Sequence, residues 1–242
     1  MKSSASFWRM GVVGWSMAVW CCASAWAHDS ITTETRQRFM QTLLQTQSVV
    51  TSSTSSVEKA KAHFQLATTL DSIRDLFNED VQSHGAVNGL ESTALLGELT
   101  RAGFALIKSD KIGVYFSPLQ HYRLALELDP KSAYATEAKY RLFKNQFYDS
   151  FTDNPLKPLS QTRDELATLL QIGETLLKSK APIVNQEEVK FIQAIHILQA
   201  IDQQLVPATD GRKKFKQLMT DLRNAYPQSL KPLTLEALGA SY

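Results

Sequence analysis

The sequence predicts an all-α chain of antiparallel helical hairpins stacked side by side, as a TPR-like α-solenoid or as an irregular helical bundle. Two observations lead there. Apolar residues recur at steps of three and four through most of the chain, and no stretch keeps the period of two that a half-buried strand requires. Glycine, proline and hydroxyl-rich clusters then cut the helical pattern into short lengths, which favours hairpins over long rods.

The first segment is not part of that fold. Lys2 and Arg9, an apolar run from Met10 to Trp20 and the small-residue end Ala25-Trp26-Ala27 follow the order of a secretory signal peptide. Cleavage is expected after Ala27, or after Ala25 as second choice. Residues 1–27 are then a leader, and residues 28–242 a single helical domain in the periplasm or outside the cell. The apolar run is well short of the roughly 20 residues that span a bilayer, so no stable membrane insertion is expected. Cys21 and Cys22 raise a lipoprotein alternative. Trp20 is bulky where an acylated cysteine needs a small neighbour, which disfavours Cys21 without closing the question.

A first helix is expected over 31–52, capped by Asp29 or Ser30. Six consecutive hydroxyl residues, Thr51 to Ser56, end it, because their side chains compete for backbone hydrogen bonds. Ala60, Phe64, Ala67, Leu70, Ile73, Leu76 and Phe77 define one stripe of a helix over 57–79. The pattern resumes over 91–108, and Ser109 to Ser117 reads as a packed loop. Pro118 starts a helix that ends at Asp129-Pro130. Further helices are expected over 132–151, over 161–179 with Ser160 as cap, over 186–205, over 210–225 and in a short final stretch around Leu233, Leu235 and Leu238. Asp153-Asn154-Pro155 stops the first of these, and the apolar arc of 186–205 is wide enough for a helix packed on two sides.

Composition narrows the chemistry. Both cysteines and all four tryptophans lie within residues 1–27, so the mature chain forms no disulfide and holds no thiolate nucleophile. Of the 26 basic residues only Lys2 and Arg9 are lost with the leader, leaving 24 against 24 acidic ones. A neutral chain gives no electrostatic case for nucleic acid. His63, His84, His121 and His196 show no pair three or four residues apart, so no metal and no cofactor is expected. His196 shares a helix side with Lys190, Gln193, Gln199 and Gln203, which predicts solvent exposure.

At Tyr122-Arg-Leu-Ala125-Leu-Glu-Leu-Asp129-Pro130 the chain resembles the close of a tetratricopeptide repeat, with aromatic, alanine and proline matching by position. Tyr134 and Ala138 sit where a following repeat would place an aromatic and a small residue. Tyr226-Pro227-Gln228-Ser229 is similar to turns of periplasmic proteins carrying such repeats. The resemblance implies helical hairpins that bind another envelope protein or peptide. It departs at Pro118, where the family has alanine, and at residues 109–117, which stretch the hairpin beyond the roughly 34-residue unit.

The candidate partner-binding residues are Tyr134, Arg141, Asn145 and Tyr148, set to one side of the aromatic helix, with Arg212 and Lys213 from the one dense basic run. Tyr140, Phe143, Phe147 and Phe151 read as its core face. Glu91-Ser92 superficially resembles the acid of lytic transglycosylases, which opens an alternative as an envelope hydrolase or small-ligand binder. The glycine-rich motif expected downstream is missing, and a glutamate in a first helical turn already suits the helix dipole. A non-catalytic scaffold is therefore expected, with room for an oligomer.

Overall fold

The computed structural model describes residues 31–104, 106–110, 112–153 and 162–240, with the side chains of 151–153 left out. The leader with Cys21, the side chain of Phe151 and most of the Asp153-Asn154-Pro155 stop lie outside that description; the caps expected at Asp29 or Ser30 and at Ser160 are instead Thr32 and Thr162, whose side chains accept from the Thr35 and Glu165 N–H groups.

Among the described residues there are nine helices and no strand: α1 (Thr33–Ser52), α2 (Ser56–His84), α3 (Leu90–Arg101), α4 (Leu119–Leu128), α5 (Ala135–Asp153), α6 (Arg163–Leu177), α7 (Gln186–Asp202), α8 (Ala208–Ala225) and α9 (Lys231–Gly239). The fold is all-α. The described residues group into two compact units. The first holds 31–132 and 148–153, the second 133–147 and 162–240.

In the first unit α1 and α2 form a hairpin around the hydroxyl run. Thr51 and Ser52 donate back to the Ser48 carbonyl at 3.0 and 2.7 Å, and the Ser55 side chain caps α2 by accepting from the Glu58 N–H. The core is the α2 stripe of Leu66, Leu70, Ile73 and Phe77, met by Leu43 from α1 and by Leu95 and Leu99 from α3. Gly85, in the left-handed region at φ 77, closes α2 at His84, later than residue 79. α3 stops at Arg101 rather than reaching 108. Gly103 takes φ 81, and the chain turns so that Phe104 enters the core. The following loop folds on itself through an antiparallel bridge between Lys108 and Tyr115, with Val114 and Tyr115 buried. α4 then packs on α2 and ends before Pro130.

The second unit is a series of neighbours. α6 pairs with α7, α7 with α8, and α9 lies against both α7 and α8. Thr162 and Glu165 form a reciprocal capping box at the start of α6, and Asn185 caps α7 through the Glu187 and Glu188 N–H groups. Every residue of α7 from Phe191 to Leu198 is buried. The expectation that His196 faces solvent is therefore overturned: it and Gln193 are 0% exposed. Apolar residues cover so wide an arc of α7 that helices flank it on both sides, and its polar stripe goes inside as well. Phe143 and Phe147 of α5 meet the His196 ring edge-on at centroid distances of 5.2 and 5.9 Å. The backbone of α6 comes close to α7 at Gly173, where an added Cβ would stand 1.9 Å from the Gln193 Oε1.

Candidate functional site

α8 is amphipathic with a clean division. Gly211, Phe215, Leu218 and Leu222 are buried at steps of four, three and four, while Arg212, Lys213, Lys214 and Lys216 are exposed. Where α8 meets α7 and α9, the molecule leaves a cleft of about 270 Å³. Leu198, Phe215, Met219 and Gly239 give it an apolar floor; Arg212, Lys216 and Glu236 stand at its edge. The cations there differ in their electrostatic state. Lys214 is paired with Glu174 and Arg223 with Glu236, whereas Arg212 and Lys216 have no ion-pair partner among the described residues.

The residues singled out from the sequence stand in different surroundings. Arg212 borders the cleft, and Lys213 is exposed next to it without lining it. Arg141 is held by Glu137, four residues earlier, at 2.7 Å. Tyr134 is half-buried and Asn145 is buried, both in the second unit, while Tyr148 belongs to the first. Tyr140, Phe143 and Phe147 are buried, as the core reading of that face requires. Glu91 is engaged by Arg36 at 2.6 Å and by Thr33 at 2.9 Å. The hydrogen bond from Arg36, more than any other cause, holds its carboxyl below the ordinary range. A general acid at neutral pH needs the opposite shift.

The first unit carries a polar seam along α2. His63 meets His121 of α4 with their Nδ1 atoms 3.0 Å apart, and the Tyr122 hydroxyl donates to Asp71 at 2.5 Å. Arg74 contacts Asp71 at 3.3 Å and Asp149 at 4.0 Å, and donates to the Ser117 hydroxyl. Asn78 grips the Tyr115 backbone from both sides, donating to its carbonyl at 2.9 Å and accepting from its N–H at 2.6 Å. Burial pushes His121 down to about 4, with the His63 charge adding to it, and lowers His63 too. Burial also raises Asp149 to about 6, against the opposing pull of the Ser117 N–H and Arg74.

No family model, curated protein or solved structure matches this chain. The reading of the site therefore rests on its own chemistry. Perturbed titratable groups gather in the seam, as they do in many active sites. Apart from Arg74 Nε, which has no hydrogen-bond partner among the described residues, its polar groups are nevertheless engaged with one another, and their common effect is to fix α4 and the loop before it in register on α2. The rings of His63 and His121 have centroids 5.3 Å apart, so the two nitrogens meet end-on in a hydrogen bond instead of converging on a third atom. No cluster of three or more metal-type ligands occurs among the described residues, and no helix there is long and apolar enough to cross a membrane.

The cleft offers shape, apolar contact and positive charge, and the carboxylate in its lining, Glu236, is paired with Arg223. Sequence reasoning found its basic run but missed its floor, which three different helices supply. It also missed the pairing of His63 with His121, 58 residues apart. The available signal was the recurrence of His63, Asp71, Arg74 and Asn78 within the otherwise apolar α2 stripe.

Proposed function

We propose that this chain is an exported, non-catalytic scaffold of the cell envelope that holds another protein or a peptide on its second helical unit. The observation that carries the reading is the α7–α8–α9 cleft, an apolar recess bordered by Arg212 and Lys216, which have no ion-pair partner among the described residues, and by Glu236, which is paired with Arg223. Its volume of about 270 Å³ lies at or below the roughly 300–1,000 Å³ usual for small-ligand sites, so it suits part of a larger partner better than a whole metabolite. The signal-like leader supplies the compartment.

A helical-repeat origin accords with this. Tyr122 and Ala125 are fully buried at 0% exposure where the tetratricopeptide resemblance needs them. The helix they sit on packs against α2, with α3 and the loop intervening, so any repeat here is an expanded one. The test is a photo-crosslinking amino acid at position 219, irradiated in intact cells. A discrete adduct from position 219, and none from exposed Glu34, supports the scaffold. Equal labelling from both positions, or none from either, overturns it.

A further inference from the structure

Resting on that reading, we infer that the cleft takes an acidic peptide segment anchored by one large apolar side chain. The floor decides the anchor. Leu198, Phe215 and Met219 present only carbon and sulfur, and Gly239 lets α9 come down onto Phe215, since an added Cβ would lie 2.6 Å from that ring. A recess of this size has room for a leucine, phenylalanine or methionine side chain, the way anchor residues enter pockets at the centre of an interface.

The edge decides the charge. Arg212 and Lys216 are one helical turn apart on α8 and therefore neighbours on its surface. Both are exposed and both lack an ion-pair partner among the described residues, while the adjoining cations Lys214 and Arg223 are neutralised by Glu174 and Glu236. Two unspent positive charges thus stand at the cleft edge, with exposed Lys213 between them in the chain and outside the lining. A ligand with carboxylates flanking its anchor gains two charge-assisted contacts there, and guanidinium geometry favours a carboxylate acceptor. A basic or neutral segment gains neither contact.

The experiment measures fluorescence anisotropy of the purified exported chain with a labelled twelve-residue peptide carrying one central leucine among glutamates. Companion peptides replace the glutamates by lysine or the leucine by serine, and vesicles of anionic phospholipid form a separate arm. Saturable binding of the acidic leucine peptide is expected, weakened about tenfold or more by the serine exchange and abolished by the lysine exchange. The double variant Arg212→Glu/Lys216→Glu weakens it at least about tenfold, and Lys213→Glu, an equal change of sign at a residue outside the lining, by less than about threefold. Both positions are exposed, so helicity by circular dichroism stays unchanged. Absence of binding, indifference to the double variant, equal binding of the lysine peptide, or binding to vesicles alone overturns the inference. If peptide binding fails while position 219 still crosslinks a partner in cells, the acidic-peptide assignment falls and the scaffold reading stands. If both fail, the scaffold reading falls too.

Discussion

Replacing His196 by leucine should stabilise the second unit, and increasingly so as the solution is acidified. Neither ring nitrogen of His196 has a hydrogen-bond partner among the described residues, and the side chain is 0% exposed. An unsatisfied buried polar group costs roughly 1–3 kcal/mol. Losing the edge-on contacts with Phe143 and Phe147 gives back about 1 kcal/mol, so a net gain of about 0–2 kcal/mol, centred near 1, is expected at pH 7. Burial also depresses this imidazole from 6.5 to about 3. The unfolded chain then binds a proton that the folded one refuses, and the wild type loses stability as pH falls below 6.5. With the folded value well under 5, that loss is about 2 kcal/mol between pH 7 and pH 5. At roughly 2–4 °C per kcal/mol for a chain of this length, the variant should melt a few degrees higher at pH 7 and about 4–8 °C further ahead at pH 5. Thermal melts followed at 222 nm at both pH values read this directly. A variant that melts lower at pH 7, with a gap to wild type independent of pH, would falsify the account of His196 as a neutral, unpartnered core group.

Three further outcomes follow from the geometry. In an imidazole NMR titration, His121 should take up its proton near pH 4 and His63 below 6.5, because burial disfavours both cations; midpoints near 6.5 for both would contradict the buried, end-on pair. Asp149 has a folded value raised to about 6 from 3.8, so its contribution is fully present below pH 3.8 and lost as pH rises through 6. Asp149→Asn should therefore compare less well with wild type at pH 4 than at pH 7.5, and a melting difference constant across that range would refute the shift. Gly173→Ala gains helix propensity of about 1 kcal/mol but drives a methyl into Gln193, whose amide must then leave the Leu170 carbonyl and Glu174. A net loss of about 1–3 kcal/mol in chemical denaturation is expected, and a more stable variant would mean that α6 and α7 sit further apart.

Much of the fold was legible because its signals are local. The α2 stripe, the hydroxyl run, Pro118 and the Asp129-Pro130 stop each act within a turn or two of themselves, and the helices they delimit form where expected. α3 ran too far on paper because Leu106 continues its period, whereas Gly103 leaves the helix through a backbone conformation that periodicity does not register. His196 was misplaced for a related reason. A helical wheel ranks one side as more polar than another, but burial depends on how many helices surround the wheel. Only tertiary packing brings α6, α8 and the α5 aromatics around α7. The cleft divides the same way: the run Arg212 to Lys216 is plain in the sequence, while the neutralisation of Lys214 by Glu174 is settled by a residue some forty positions earlier.

The seam on α2 bears on how a helical assembly avoids misalignment. An apolar stripe is nearly smooth to a neighbour shifted by one turn, about 5.4 Å, since leucine meets leucine again. Four unlike rungs, the imidazole pair, the phenol on Asp71, the Arg74 guanidinium on the Ser117 hydroxyl and the carboxamide on the Tyr115 backbone, do not repeat under that shift. Slippage would break all of them together, so α4 and its loop have one seating on α2 and no near-miss.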